Sequence, residues 1–226
     1  MCIRDRAASL LKIGRTKGVS RPTIAIPFPS RQGHPTTMVD AGANADCSPE
    51  WLLQFAQLGA SYKRHRWGIG QPRVGILTIG EEAGKGNKLV KEACELFAEF
   101  DWQKANIEFV GNIEGGDIFE GACDVFVADG FTGNVVLKAL EGTYEMFKRE
   151  IGQAVAEAPE AKAKTDEIFE FYDPVSIGTG MLLGVKQVSM IAHGASQPRA
   201  LASAIKTASE LAEMEMPELL KADLAG

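Results

Sequence analysis

Short apolar runs alternate with amphipathic, helix-like stretches along most of the chain. Each run except the first is followed by a turn rich in glycine or asparagine and then by a helical pattern. The runs lie at 24–26, 36–40, 74–79, 107–110, 125–128 and 189–192. A repeating order of strand, turn and helix is typical of parallel strands joined by right-handed crossovers, so the pattern predicts an α/β fold with a mostly parallel sheet.

The first two runs differ from the others because no helix separates them. Pro27 and Pro29 close the run at 24–26, and a short loop leads to the run at 36–40. Proline is tolerated at the edge of a sheet, where its missing amide donor is not needed. We therefore expect these two strands to form a hairpin at one edge.

Polar residues gather directly behind the predicted strands. In a parallel sheet the turns that follow the strands share the carboxyl edge, where open α/β sheets bind their ligands. The candidates at this edge are Asp40, Asn44, Glu82, Lys85, Asp129, Asn134, His193 and Ser196. Each residue type also has an ordinary structural use, since aspartates bond turn amides and asparagines occupy helix caps.

The segment 129–138 (DGFTGNVVLK) is the most informative stretch of the chain. It follows a buried apolar run and is interpreted as a glycine turn and a helix that opens with Asn134. We expect Gly130 and Gly133 to adopt positive φ and the first helical amides to be free to bind an anion. The alternative is that these glycines serve only the packing of helix against strand.

The turn around Lys85 is glycine-rich but does not match a Walker motif. Only three residues separate Gly80 from Gly84, and Gly86 stands where the motif requires serine or threonine. Nucleoside triphosphate hydrolysis is therefore not expected. Lys85 is either a point charge that reaches a phosphate or an ordinary surface lysine.

Composition narrows the class of protein. With 226 residues, 45% hydrophobic residues and a net charge of -6, the chain is expected to be a soluble globular protein of the cytoplasm that does not bind nucleic acid. The basic stretch 63–66 is interpreted as a solvated helix end. The four cysteines lack metal-ligand spacing, so no metal site is expected.

Four motifs in order resemble bacterial phosphate acyltransferases, the PlsX family of phospholipid synthesis. They are 36–47 (TTMVDAGANADC), 73–87 (RVGILTIGEEAGKGN), 124–142 (DVFVADGFTGNVVLKALEG) and 191–196 (IAHGAS). The resemblance implies a Rossmann-like three-layer α/β/α fold, similar to isocitrate dehydrogenases and phosphotransacetylases, in a homodimer without metal or organic cofactor. It implies transfer of an acyl group from acyl-[acyl-carrier protein] to inorganic phosphate, which yields acyl phosphate for a glycerol-3-phosphate acyltransferase.

On the strength of this resemblance, Lys85, Asn134 and His193 are the expected catalytic residues. The expected residues for binding substrate or phosphate are Asp40, Asn44, Glu82, Asp129, Gly130, Gly133, Lys138, Gly194 and Ser196. The alternatives are a phosphotransacetylase or phosphotransbutyrylase that uses acyl-coenzyme A, and an inactive remnant that binds the carrier protein. An NAD-dependent dehydrogenase is disfavoured because no GxGxxG motif is present.

Two departures from the family pattern qualify these expectations. The aspartate- and glycine-rich motif of the family's N-terminal part (DAMGGD) is absent, so we expect 7–226 to be a single catalytic domain, the last two thirds of a longer protein. Residues 1–6 show neither a strand pattern nor a helix cap and are expected to be non-native. The helical segment 141–173 is acidic, and an anionic leaflet repels it. It is expected to form a solvated helical pair that protrudes from the domain, with membrane contact at most peripheral.

Overall fold

The computed structural model describes residues 9–82, 84–173, 179–192 and 198–225. The strands are β1 (Thr23–Phe28), β2 (Thr36–Val39), β3 (Arg73–Leu77), β4 (Glu108–Ile113), β5 (Val125–Val127), β6 (Gly180–Leu183) and β7 (Met190–Ile191). The α-helices are α1 (Pro49–Trp67), α2 (Lys88–Glu99), α3 (Gly130–Ala154), α4 (Pro159–Tyr172), α5 (Pro198–Glu213) and α6 (Met216–Ala225). A π-helical turn (Ser9–Ile13) and a 3₁₀ turn (Gly115–Ile118) complete the described elements.

The strands form one mixed sheet in the order β4-β3-β5-β2-β1-β6-β7. The half from β4 to β2 is parallel, as the alternation of strands and helices predicts. The pairs β2–β1, β1–β6 and β6–β7 are antiparallel. The predicted α/β class is confirmed. The antiparallel pairs arise because β1 and β7 run opposite to the other strands, since β1 is joined to β2 and β6 to β7 without a helix.

The predicted hairpin of β1 and β2 is confirmed, with Ile26 opposite Met38. Its predicted position at one edge is wrong, because β6 pairs with the free side of β1 and places Leu182 opposite Ile24. The prolines are tolerated because the two partners of β1 divide it: residues 23–25 pair with β6 and residues 26–28 with β2.

Helices cover both faces of the sheet, which gives three layers. The alternation within β5 shows this directly: Val125 and Val127 pack into the core with Phe55 of α1, whereas Phe126 packs into the core that Leu137 of α3 borders. Side chains of a strand point alternately to its two faces, so each strand contributes to both cores.

The helical segment predicted at 141–173 is present as the pair α3 and α4. The hydroxyl of Tyr144 donates to the carbonyl oxygen of Phe169 at 3.0 Å, and the two rings meet edge to face. No residue of α4 is buried. Helix α4 is therefore held by surface contacts: with α3, with the ring of Phe119 through Tyr172, and with Arg199 through Glu170.

Candidate active site

The turns behind β2, β3 and β5 lie at one edge of the sheet, because these strands are parallel neighbours. This is the carboxyl edge that the sequence analysis expects to bind the ligand. The antiparallel strand β1 begins at the same edge, since the amide of Ile24 donates to Asp40 Oδ1 at 2.9 Å. The edge therefore combines the ends of the parallel strands β2, β3, β4 and β5 with the start of β1.

Asp40 is buried and shapes the turn behind β2. Its carboxylate accepts bonds from the amides of Ile24, Ala43 and Asn44 at 2.9, 3.0 and 2.7 Å. The side-chain amide of Asn44 donates to Asp40 and to the carbonyl oxygen of Pro22, both at 2.9 Å. Burial raises the pKa of Asp40, and the donors oppose that shift. Both side chains thus have structural partners, and their contact with substrate stays a prediction.

Helix α3 begins four residues earlier than predicted. Asp129 is its N-cap, since Oδ1 accepts the amide of Thr132 at 2.9 Å and Oδ2 accepts the Thr132 hydroxyl at 2.7 Å. A capping carboxylate satisfies donors that would otherwise have no intrahelical partner and is favoured by the helix dipole. Asn134 therefore lies in the second turn instead of opening the helix.

Gly130 and Gly133 are helical and do not take the positive φ predicted for them. They allow a close approach instead: a Cβ on Gly133 would lie 2.0 Å from the carbonyl oxygen of Asp40, and one on Gly130 would lie 2.5 Å from that of Asn44. The amide of Gly130 donates to the carbonyl oxygen of Asn44 and the amide of Gly133 to that of Asp129, each at 2.8 Å. The predicted cradle of free amides is therefore wrong at both positions, and the packing alternative explains these glycines.

Asn134 faces the turn behind β2 from the second turn of α3. Its side-chain atoms lie 3.2–3.4 Å from the position that a Cβ would take on Gly42. Lys138 is exposed and lies one turn further along, where it pairs with Glu141 at 2.6 Å. Asn134 therefore lies at the carboxyl edge, as predicted from its place behind β5. Lys138 pairs with a residue of its own helix, and its contact with phosphate stays a prediction.

The turn behind β3 carries a second group of candidates. The ammonium of Lys85 lies 3.3 Å from the carboxylate of Glu82, and both side chains are exposed. The aliphatic part of Lys85 packs close to Gly80. An exposed ion pair contributes little to stability, so an anion displaces Glu82 from Lys85 at small cost. This geometry is compatible with Lys85 as a point charge for phosphate.

Asn112 on β4 holds this turn, although the sequence analysis did not single it out. Its Nδ2 donates to the carbonyl oxygens of Gly80 and Glu82 at 3.3 and 3.0 Å. Its Oδ1 accepts the thiol of Cys94 on α2 at 3.4 Å. One side chain therefore joins β4, α2 and the turn that carries Lys85. The available signal was a polar residue within the otherwise apolar strand sequence FVGNI.

A cleft of about 390 Å³ opens between this turn and β4. Its lining residues are Glu81, Val110, Gly111, Asn112, Ile113, Asp117 and Ala122. The carboxylates of Glu81 and Asp117 give the wall negative charge, which disfavours an anion such as phosphate. An anion is therefore less favoured in this cleft than beside the ammonium of Lys85.

The last group of candidates follows β7. Because β7 is antiparallel to β6 and β6 to β1, β7 runs opposite to β2 and ends at the amino edge. The prediction that all strand-end turns share one edge is wrong for this strand. His193, Gly194 and Ser196 lie outside the described residues, and their roles stay predictions.

A polar cluster occupies the amino edge of the sheet. Lys63, predicted at a solvated helix end, is buried; its ammonium donates to the carbonyl oxygen of Pro35 and lies 4.6 Å from the centre of the Trp67 ring. Burial lowers the pKa of Lys63 to about 8. The nearby pair of Arg73 and Asp124, at 3.2 Å, joins β3 to the start of β5. Lys63 lies on the face of α1 that points toward the sheet. The basic run 63–66 gives no sign of this, because its other residues are charged or polar as well.

Within the described ranges, no group of three or more His, Cys, Asp or Glu side chains could hold a metal ion. In the same part of the chain, no helix is both long enough and apolar enough to cross a membrane. Cys47, Cys94 and Cys123 are free thiols, and burial raises the pKa of Cys47 and Cys123 to about 12. Those two thiols are therefore protonated and poor nucleophiles.

The layered fold is that of the phosphotransacylases. A branched-chain phosphotransacylase from Enterococcus faecalis V583 superposes with a TM-score of 0.56 at 12% identity, over 88% of this chain and 66% of that one. A phosphotransacetylase from Streptococcus pyogenes superposes with a TM-score of 0.51 at 13% identity, over 97% of this chain and 58% of that one. At these identities the likeness defines the fold alone.

The model of the fatty acid synthesis protein family matches residues 5–219, and the chain belongs to that family. Its relatives include proteins named phosphate acyltransferase. The relative from Halothermothrix orenii is 42% identical over 96% of this chain, and the relative from Thermobifida fusca is 41% identical over 97%. The chain spans 66% and 62% of their respective lengths.

Proposed function

We propose that the protein transfers a fatty acyl group from acyl-[acyl-carrier protein] to inorganic phosphate and so forms acyl phosphate for phospholipid synthesis. The observation that carries this proposal is the 42% identity, over 96% of the chain, to a relative named phosphate acyltransferase. The carboxyl edge supports it, because an exposed cation and an amide side chain lie behind adjacent parallel strands there. Proposed with it are a homodimer and delivery of the product to a glycerol-3-phosphate acyltransferase.

The proposed reaction needs no nucleophile from the protein. A phosphate oxygen attacks the thioester carbonyl carbon, the C–O bond forms, and the carbonyl electron pair moves onto oxygen. The tetrahedral intermediate then collapses, the C–S bond breaks, and the departing thiolate takes up a proton. The site must therefore strip water from phosphate, hold it against the carbonyl and stabilise the oxyanion.

We assign the contact with phosphate to Lys85 and a hydrogen bond to phosphate or to the oxyanion to Asn134. Glu82 and Asp129 act indirectly in this scheme. Glu82 holds Lys85 at 3.3 Å until phosphate arrives, and Asp129 caps the helix that presents Asn134. No role in this scheme is assigned to His193 or Ser196, because β7, which precedes them, ends at the amino edge.

Single Lys85→Ala and Asn134→Ala variants test the assignment. We expect each to lower the rate of acyl phosphate formation by about 100-fold, since each removes a group that stabilises developing charge. The product is trapped with hydroxylamine, with acyl-[acyl-carrier protein] and phosphate as substrates. Lys104→Ala, an exposed lysine just before β4 at the amino edge, is the matched control and should keep the parent rate.

Three results would overturn the proposal. Near-normal turnover in both variants would remove Lys85 and Asn134 from the chemistry. Acyl phosphate from acyl-coenzyme A but not from the carrier thioester would favour a phosphotransacetylase. Binding of the carrier protein without any acyl phosphate would make the chain a remnant of the enzyme.

A further inference from the structure

Five exposed cations lie together beside the start of β1 and the end of β6. This basic patch consists of Lys12, Arg15, Lys17, Arg21 and Lys186. Among the described residues, none of the five forms an ion pair with a carboxylate, whereas the exposed pairs Lys162–Asp166 and Lys138–Glu141 show the usual neutralisation elsewhere. The patch is thus unneutralised positive charge on a chain whose net charge is -6.

The patch belongs to a defined surface, because its two segments are bonded to each other. The amide of Thr16 donates to the carbonyl oxygen of Gly184 at 3.0 Å, and the amide of Lys186 donates to that of Gly14 at 3.1 Å. The ammonium of Lys186 lies 3.7 Å from the position that a Cβ would take on Gly14. Segment 14–21 is therefore held beside the end of β6.

The same segment is also fixed to α1. The side-chain amide of Gln54 donates to the carbonyl oxygen of Gly18 at 2.9 Å and accepts the amide of Ser20 at 2.6 Å. The guanidinium of Arg21 stacks over the ring of Trp51 at 4.8 Å. These contacts anchor the patch next to the first turns of α1.

The patch adjoins the candidate active site. Pro22, the residue after Arg21, accepts a hydrogen bond from Asn44 at 2.9 Å, and Asn44 in turn accepts the amide of Gly130 at the start of α3. Thr23 lies opposite Leu183, so the end of β6 reaches the same carboxyl edge. A partner on the patch would therefore border the turns that carry the proposed chemistry.

The chemistry of the patch matches an extended anionic surface. Five charges spread over two segments exceed what one phosphate ion requires, and unneutralised charge beside a site steers an oppositely charged partner. A protein partner is favoured over a lipid surface by the scarcity of apolar anchors: the described part of the patch region exposes one large apolar side chain, Leu11, on a five-residue turn. Interfacial membrane anchors are usually much longer amphipathic helices.

We propose that the basic patch docks the acidic protein that carries the acyl thioester and so presents the thioester to the carboxyl edge. This inference rests on the proposed function, in which the acyl donor is a carrier protein. A long-range, screened attraction of this kind raises the association rate more than it tightens the bound state.

The direct test is binding of fluorescently labelled holo-[acyl-carrier protein] to the chain and its variants. Lys17→Glu/Lys186→Glu should weaken binding roughly tenfold at low salt and flatten the salt dependence, because reversed charges repel the carrier. The neutral double variant Lys17→Gln/Lys186→Gln should lose less affinity for the carrier protein than the charge reversal does. The control Lys104→Glu carries the same charge change at the amino edge and should bind like the parent. Equal affinity of the parent and the double reversal would overturn the proposal.

Two further experiments distinguish docking of the carrier protein from a general loss of activity and from binding to a membrane. In turnover, the double reversal should raise KM for the carrier thioester roughly tenfold more than KM for acyl-pantetheine, which lacks the carrier surface. If no thioester yields acyl phosphate, the proposed function fails, while the binding assay still decides the docking site. Loss of binding to phosphatidylserine vesicles, with carrier binding unchanged, would assign the patch to a membrane and overturn the proposal.

Discussion

At the scale of single residues, the carboxyl edge depends on polar side chains that make several bonds each. Asp40 accepts four backbone amides and the side chain of Asn44, and Asn112 bonds two carbonyl oxygens and a thiol. A buried or half-buried polar group is costly unless it is satisfied, so such side chains restrict a turn to one arrangement. Asp40 does so behind β2, and Asn112 behind β3.

Asn112→Ala should free the turn that carries Lys85, because two carbonyl oxygens lose their donor. We expect KM for phosphate to rise roughly tenfold, equivalent to about 1.4 kcal/mol, with a smaller change in kcat. Hydrogen exchange at 80–86 should accelerate, and exchange at the start of α3 should not. Asn112→Gln keeps the donor and should recover part of the effect. Unchanged exchange at 80–86 would contradict a positioning role.

At the scale of elements, the start of α3 is determined by what it touches. Its first turn packs so closely on the turn 40–44 that only glycine fits at positions 130 and 133. The capping carboxylate of Asp129 and this close packing both favour a helix that begins at Gly130. Asn134 is thereby carried to a position above Gly42, which the local sequence pattern did not predict.

Gly133→Ala should destabilise the protein by about 2 kcal/mol, because the new methyl group has to displace the backbone of Asp40. Gly142→Ala is the matched control on the same helix. It is exposed, with open space where the Cβ would lie, and should stabilise by about 0.5–1 kcal/mol through helix propensity. Urea denaturation of the two variants measures both effects. A similar midpoint for both would show that α3 can shift away from the sheet without cost.

At the scale of the whole molecule, charge is distributed unequally between the two edges of the sheet. The carboxyl edge is flanked by the basic patch, whose cations form no ion pair within the described residues, whereas the amino edge buries Lys63 and pairs Arg73 with Asp124. A cation lowered in pKa by burial opposes folding in its charged form. The amino edge therefore makes the stability of the molecule depend on pH.

The pKa of Lys63 is about 8 in the folded protein and near its ordinary value of 10.5 in the unfolded chain. Between these values the unfolded chain binds more protons, so stability rises with pH there. Compared with Lys63→Met, which cannot titrate, the wild type should gain free energy of unfolding from pH 8 to 10.5. Guanidinium denaturation along this range measures the difference. A constant or falling difference would show that Lys63 is charged in the folded state throughout.

Local patterns predicted the α/β class, six of the strand regions and the acidic helical segment, because each of these signals comes from residues close together in the sequence. They missed β6, whose four residues Gly180–Leu183 are too short to show a period of their own. That omission misplaced the hairpin, since only the pairing of β6 with β1 moves the hairpin inside the sheet. The amino-edge ending of β7 follows from the same long-range pairing.

The sequence by itself determined the alternation of strands and helices up to α3, the family and the residues that stand behind those strands. Only the tertiary structure decided which of these residues are engaged in shaping turns and which remain accessible to a ligand. Asp40, Asn44 and the glycines of α3 are largely engaged with one another, whereas Lys85 is exposed beside Glu82. The reason is physical: accessibility and hydrogen-bond satisfaction depend on partners from distant parts of the chain, and local spacing carries no information about them.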